Sequence, residues 1–508
     1  MTEQSHASAT EALDNAKLSK MHWKIWFLSA MGIFLDGFDL FIIAIALPLI
    51  IHQFHPSPAL QGLIVSAAPL GCIIGSSVFG SLTDKLGRRA LLLVDLIFFV
   101  VFAGLTALSW SVVSLITFRF LLGIGIGADY PVASTYITEN MPKKLRGRML
   151  VSGFGFQALG ALAGAGMGAL ILFFYPEVHA WRIMLCIAII PAVIILCFRL
   201  TLPESTRWLI NKGEHEKASE IANKMTGKQI KIQAFQAAEK ASFLDLFTPR
   251  YIKRTILTAG TWFIMDIAFY GIGFFTPVIL GAMAFSHMGS DFIAKDIASI
   301  HGAAFLDIFL VLGVIIATFL VDSWGRIKLQ SLGFIGMSVG LFLLAASGLF
   351  ALHSTSVLIL FIGFIVFNIT VNMGPNPITF LLPAEVFPTH LRATGHGFAA
   401  ACGKVGAALG GFMIPFLRAE IGLSQTVFII AVTCIAGFLI TAFLGYEMKG
   451  KSLDELSGVQ KNMTKAEVNL GNIRADVKRL TTDLTALETS LTKAISQMNK
   501  NYKPDFKE

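Results

Sequence analysis

Twelve apolar runs, each near the ~20 residues a helix needs to cross the hydrocarbon core of a bilayer, account for most of this 508-residue chain. They lie near 23–50, 59–82, 89–109, 112–138, 149–175 and 181–201, then near 252–284, 297–321, 327–350, 354–382, 393–417 and 424–446. A lipid interior offers backbone groups no water, so such runs must close their hydrogen bonds internally as helices. The expected fold is an all-α membrane protein of twelve transmembrane helices in two six-helix halves. The expected division is a segment 1–22, a first half 23–201, a linker 202–251, a second half 252–446 and a tail 447–508. Only 14% of residues are charged, against about 25% in soluble domains.

Lys and Arg gather in alternate loops. Lys85, Arg88 and Arg89 follow the second run, Lys143, Lys144, Arg146 and Arg148 the fourth, and Arg326 and Lys328 the eighth, whereas 51–58, 110–111 and 351–355 carry none. The positive-inside rule then predicts that both termini and the linker face the cytoplasm, in a plasma (inner) membrane. This bias accounts for the net charge of +8, and no nucleic-acid partner is expected. The polar stretch through Lys20 and the length of the first run argue against a cleavable signal peptide. The five cysteines, Cys72, Cys186, Cys197, Cys402 and Cys434, lack metal-type spacing and read as small hydrophobes. His52, His55, His353 and His396 likewise read as loop or packing residues, and no metal is expected.

Ionisable side chains inside the runs carry the functional signal, because a charge at membrane depth is costly and by default faces a cavity or a partner. Asp266 stands in a long apolar stretch with Trp262 one turn before it and Tyr270 one turn after, all on one helix face. Lys404 stands in another run. Asp36 and Asp39, three residues apart, share a face of the first run, and Arg119 of the fourth is available to them as a proton-sensing cluster. The string Gly123-Ile124-Gly125-Ile126-Gly127 follows no strand, so it reads as close helix packing rather than nucleotide binding.

Asp84-Lys85-Leu86-Gly87-Arg88-Arg89 recurs in the second half as Asp322-Ser323-Trp324-Gly325-Arg326. A six-helix repeat of this kind suits a transporter that rocks one half against the other. Further charges fall at equivalent ends: Glu139 with Arg146, Glu204 with Arg207, Glu385 with Arg392, and Glu447. Together with the repeated motif they are expected to form a breakable lock at the basic end. These loops, with PESTRW at 203–208 and PAEVFPTHLRATG at 383–395, resemble the major facilitator superfamily and its sugar-porter-like branches.

Four further segments are similar to the proton-coupled inorganic phosphate symporters of fungi and plants. They are GIFLDGFDLF at 32–41, GADYPVAS at 127–134, TWFIMDIAFY at 261–270, and GPNPITFLLPAEVFP with ACGKVGA at 374–388 and 401–407. The resemblance implies a phosphate site of Tyr130, Gln157, Trp262, Asp266, Tyr270, Asn376 and Lys404, and a proton path through Asp36, Asp39, Arg119 and Asp129. The chain departs from the family at Ala128, where a second glycine is usual, at PVAS, and in a shorter central loop. The residue chemistry suits an anion: Lys404 supplies a cation, five neutral side chains donate, and Asp266 accepts only from a protonated partner.

The expected function is secondary active import of phosphate with protons, with no enzymatic activity and no cofactor. Two alternatives stay open: a proton symporter for another small anion, organic acid or sugar-like metabolite, and a transport-inactive sensor signalling through the tail. A sugar site needs amides and aromatics but neither Lys404 nor Asp266, whereas a sensor has no need of a proton path. In the tail, Met463, Ala466, Leu470, Ile473, Val477, Leu480, Leu484, Leu487, Leu491, Ala494 and Met498 keep heptad spacing over 463–498. That pattern predicts a coiled-coil helix capable of self-association.

Overall fold

A computed structural model describes residues 12–227, 242–283, 292–348, 354–388 and 391–449, together with positions 489 and 493. The heptad positions of the tail and His353 lie outside the described residues. Twelve helices are long and apolar enough to span a membrane. In the first half these are α1 (Lys20–Phe54), α2 (Pro58–Leu86), α3 (Arg88–Ala107), α4 (Val112–Asn140), α5 (Arg146–Phe174) and α6 (Ala180–Arg199). The described part of the linker holds two short helices, α7 (Thr206–Lys212) and α8 (His215–Thr226), and a 3-10 turn at Phe243–Phe247. The second half contributes α9 (Ile252–Gly281), α10 (Ile297–Trp324), α11 (Arg326–Ser347), α12 (Ser356–Val386), α13 (Arg392–Ile421) and α14 (Leu423–Leu444). The protein is thus an integral multi-pass membrane protein of two six-helix halves, as its apolar runs require.

Several helices run past their apolar stretch. α1 reaches Lys20 and α2 reaches Leu86, because a helix end outside the hydrocarbon can continue on polar residues that water solvates. Two irregularities fall where function gathers. After a first α-helical turn, α9 has a π-helical turn at Ile256–Gly260, a feature that often marks functional sites, and then carries Trp262, Asp266 and Tyr270. α12 breaks at Gly374, where Pro375 starts a fresh helix over Pro375–Val386, since proline has no N–H to continue the preceding ladder.

Small residues set the closest helix contacts. A Cβ at Gly123 would overlap the backbone of Ala68, and one at Gly127 would overlap that of Cys72, so the glycine string lets α4 lie directly on α2. Across the halves, α2 meets α13, where the Ser66 hydroxyl donates to the carbonyl of Ala408 at 2.9 Å. Outward-facing positions such as Phe173, Val193, Phe319 and Phe443 are exposed and apolar, as a lipid-facing surface requires.

Gly123→Val should therefore force α2 and α4 apart and cost about 1–3 kcal/mol. Gly166→Ala, where nothing lies within reach of a new Cβ, should be neutral. Thermal unfolding of the purified variants in detergent checks both.

Candidate functional site

The centre of the molecule is a buried polar cluster between the halves. Lys404 of α13 donates from Nζ to Asp266 Oδ2 of α9 at 2.9 Å and to the Tyr270 hydroxyl at 3.1 Å. The same ammonium lies 4.7 Å from the ring centroid of Tyr130 and 4.3 Å from that of Tyr270. Gln157 of α5 donates from Nε2 to both tyrosine hydroxyls, at 3.1 and 3.2 Å. Asn376, just past the break in α12, donates to Gln157 Oε1 at 3.2 Å and to Asn372 Oδ1 at 2.7 Å. Trp262 stands edge-on to Tyr130 at 6.2 Å, in space left by Gly403, where a Cβ would strike the indole.

All seven residues that the sequence singled out for this site therefore converge, contributed by α4, α5, α9, α12 and α13. Asp266 and Lys404 are each only 1% exposed, so the cluster is closed to solvent. Asp266 Oδ1 has no hydrogen-bond partner among the described residues, which leaves one buried acceptor unused. Two further neighbours complete the cluster, Asn372, which the sequence does not mark, and His396, which packs as its sequence context suggests. Asn372 precedes the α12 break, and His396 packs edge-on against Trp262 at 5.5 Å while its Nε2 lies 2.9 Å from the Phe380 carbonyl.

A second network lies within the first half, and it differs from the grouping read in the sequence. Arg119 pairs with Asp39 at 3.2 Å, and among the described residues no hydrogen bond or ion pair joins it to Asp36. Asp36 instead shares an electrostatic cluster with Asp129, Asp95 and Arg199. There Arg199 bridges Asp95 Oδ2 and Asp129 Oδ1, each at 3.1 Å, and also donates to the carbonyls of Leu28 and Leu92. Asp95 and Arg199 had been passed over, although each is an isolated charge in an apolar run, the same signal that marked Asp266. Three acids meet one arginine here, and Asp36 Oδ2 and Asp129 Oδ2 are buried without partners among the described residues. Gly32 makes the approach feasible, since a Cβ there would overlap the Arg199 guanidinium.

The basic end carries the repeated motif twice in one geometry. Arg88 grips Glu139 through Nε and Nη2 at 3.0 and 2.8 Å and Asp84 at 3.1 Å. Arg326 grips Glu385 at 3.0 and 2.9 Å and Asp322 at 3.1 Å. Glu204 accepts the N–H groups of Arg88 and Arg89, and Glu447 those of Arg326 and Ile327. Each glutamate thereby caps a helix N-terminus, where negative charge is favoured. Gly87 and Gly325 have φ of 98° and 96°, a conformation that glycine adopts without steric cost. Burial is the largest influence on the Glu204 carboxyl and raises its pKa, opposed by the N–H groups of Ser205 and Arg88.

These partners correct the sequence pairing. Glu139 binds Arg88 rather than Arg146, Glu385 binds Arg326, and Glu204 caps α3 rather than pairing with Arg207. Arg146 and Arg207 share a different acid, Asp14, at 2.6 and 2.8 Å. Asp14 is held there because Leu13 is buried with Leu209, Ile210 and Ala218 of α7 and α8. Arg392 is buried at the start of α13.

Hydrogen bonds tie the halves together at this end. The backbone N–H of Arg148 donates to Asp322 Oδ2 at 3.2 Å, and the Thr394 hydroxyl donates to Asp84 Oδ2 at 3.3 Å. Each motif aspartate thus holds its own half's arginine and also reaches the first turn of a helix in the other half.

This architecture has known relatives. The family described as "Sugar (and other) transporter" matches residues 25–459. "Probable inorganic phosphate transporter 1-12" of Oryza sativa subsp. japonica is 31% identical over 514 residues, spanning 88% of this chain and 93% of that protein. "Low affinity inorganic phosphate transporter 4" of Medicago truncatula is 31% identical over 497 residues, spanning 88% and 94%. Among solved structures, the proton:xylose symporter XylE bound to 6-bromo-6-deoxy-D-glucose has a TM-score of 0.71 at 21% identity, covering 87% of this chain and 100% of that one. XylE from E. coli in a partially occluded inward open conformation has a TM-score of 0.69 at 21% identity, covering 85% and 100%. The solved structures share the fold.

Combining Asp84→Ala with Asp322→Ala removes the Arg148–Asp322 and Thr394–Asp84 bonds that join the halves at the basic end. Each charged hydrogen bond is worth about 1.5–3 kcal/mol, so hydrogen–deuterium exchange over 144–150 and 391–397 should accelerate at least about tenfold. Mass spectrometry of the exchanged protein measures this.

Proposed function

The chain belongs to the sugar (and other) transporter family of the major facilitator superfamily, and from that premise we propose that it imports inorganic phosphate together with protons by alternating access. The observation that carries this reading is the enclosed cluster in which a buried lysine meets a buried aspartate among neutral donors. A phosphate monoanion brings acceptor oxygens and hydroxyls to its site. Lys404 gives it a charge-assisted bond, while Tyr130, Tyr270, Trp262, Gln157 and Asn376 donate to its remaining oxygens. Asp266 accepts from a phosphate hydroxyl through its unused Oδ1. A carboxylate beside an anion is otherwise repulsive, so a proton must arrive on Asp266 or on the phosphate itself. That requirement couples substrate to proton. A sugar would use the amides and aromatics but gain nothing from the ammonium.

Asp36, Asp39, Arg119 and Asp129 form the proton path in this reading, joined by Asp95 and Arg199. A proton arriving on one of the acids around Arg199 removes the charge that holds the guanidinium, freeing the first half to shift. The gating residues are Asp84, Arg88, Arg89, Glu139, Arg146, Glu204, Arg207, Asp322, Arg326, Glu385, Arg392 and Glu447. They break and reform as the halves rock about the central site. Loop charge puts the basic end, and with it both termini, in the cytoplasm of a plasma (inner) membrane. The heptad spacing of 463–498 supports self-association through the tail.

Uptake of radiolabelled phosphate into proteoliposomes under an imposed pH gradient, with arsenate, sulfate and sugars as competitors, tests the reading. Wild-type protein should concentrate phosphate and Asp266→Asn should not, even though it inserts and folds. Lys404→Ala should weaken phosphate binding by about 1.5–3 kcal/mol. Accumulation of a competitor in place of phosphate would overturn the substrate assignment.

A further inference from the structure

Asp307, an acid well inside a span, has no place in this scheme. It lies in α10, within the run 297–321, and lines a cavity between the two halves. Phe41 of α1 and Ala165 of α5 form the wall from the first half, and Thr276 of α9, Asp307 of α10 and Asn368 of α12 line it from the second. About 20 Å³ is open to water centres there, room for one or two waters. The cavity adjoins the central cluster, because Phe269, the neighbour of Tyr270, also lines it.

Its surroundings set the partly exposed Asp307 apart from the buried aspartates of the spans. Asp39 and Asp266 pair with a cation, Asp95 and Asp129 share Arg199, and Asp36 faces that same guanidinium. Of the described residues lining the cavity from α1, α5, α9, α10 and α12, none besides Asp307 carries a titratable or charged side chain. The Thr276 hydroxyl is committed to the Ile272 carbonyl at 3.0 Å, and Asn368 donates to the Leu306 carbonyl at 2.9 Å. No hydrogen bond or ion pair from the described residues reaches Asp307. An ionised carboxylate at a gap that admits only one or two waters is short of solvation and has no cation beside it to offset that, whereas the neutral acid needs neither.

We propose that Asp307 is a second proton-binding site, carried by the second half, which is protonated while the cavity between the halves is closed and ionises when they part. The movement itself drives the exchange. When the wall made by Phe41 and Ala165 moves away, water enters and solvates the carboxylate, so the Oδ proton passes to that water. When the wall returns, the acid closes with a proton taken from water on the side it faced. This inference rests on the transport reading above for its place in the cycle, but the protonation of Asp307 does not depend on what the substrate is.

The test uses the full-length protein in liposomes. Infrared difference spectra recorded without substrate as pH is stepped should contain a protonated-carboxyl band that is lost in Asp307→Asn and shifted in Asp307→Glu. Under a pH gradient the ratio of protons to phosphate moved should fall in Asp307→Asn and recover in Asp307→Glu, while phosphate exchange at equilibrium persists in both. A purely structural role would leave the ratio unchanged and alter exchange and uptake alike. Spectra and proton ratio unchanged in Asp307→Asn would overturn the proposal. Should the Asn variant not fold, the Glu variant decides, because its band shifts only if this carboxyl carries a proton. A wild-type protein that moves no phosphate defeats the transport reading, and the infrared band still decides Asp307.

Discussion

Lys404 and Asp266, opposite charges 2.9 Å apart with almost no exposed surface, govern what the rest of this molecule can do. Removing two ions from water costs more than their attraction commonly returns, so the pair is a poor source of stability. In the proposed reading its effect is on what can enter: each partner alone would be an uncompensated charge at membrane depth. Anything that displaces Asp266 from the ammonium must bring negative charge to Lys404 and a proton for the carboxylate or for itself. The tyrosines, Gln157 and Asn376 are bonded to one another and to this pair. Opening the pair therefore releases a whole set of donors at once, contributed by both halves of the protein.

A second constraint comes from symmetry. The two halves present one latch geometry twice, an arginine held by a glutamate across two helices and by an aspartate one turn away, with a further glutamate capping the next helix. Asp84 and Asp322 then each extend a bond into the opposite half. Because every bond of the latch is polar and lies at a helix end, it can open by exchange with water, whereas the packed glycine contacts inside each half cannot. In the proposed cycle the halves therefore move as bodies, with the polar contacts between them setting when. Asp14 adds a local brace, tying the segment before α1 to Arg146 and Arg207.

The twelve spans were legible because membrane helices are written as long uniform runs, and the repeat because its glycines and charges recur in order. Asp266 with Trp262 and Tyr270 was legible because residues four apart share a helix face. What the sequence hid was pairing between distant elements. Arg199 joins Asp95 of α3 to Asp129 of α4, and no spacing along the chain foretells that meeting. Asp14 sits among other polar residues with nothing to mark it, and only the burial of Leu13 explains why it is held. Glu139 lies close to Arg146 in sequence, yet the helix ends bring Arg88 to it instead. The heptad helix over 463–498 rests on its spacing alone.

The central claim is that substrate meets Lys404 and Asp266 only together with a proton. Calorimetric titration of the purified wild-type protein with phosphate, in two buffers of equal pH but different ionisation enthalpy, measures the protons taken up on binding. The account predicts a binding heat that differs between the buffers in the direction of proton uptake, growing as the pH of both is raised. Phosphate binding with the same heat in both buffers across that range would contradict it.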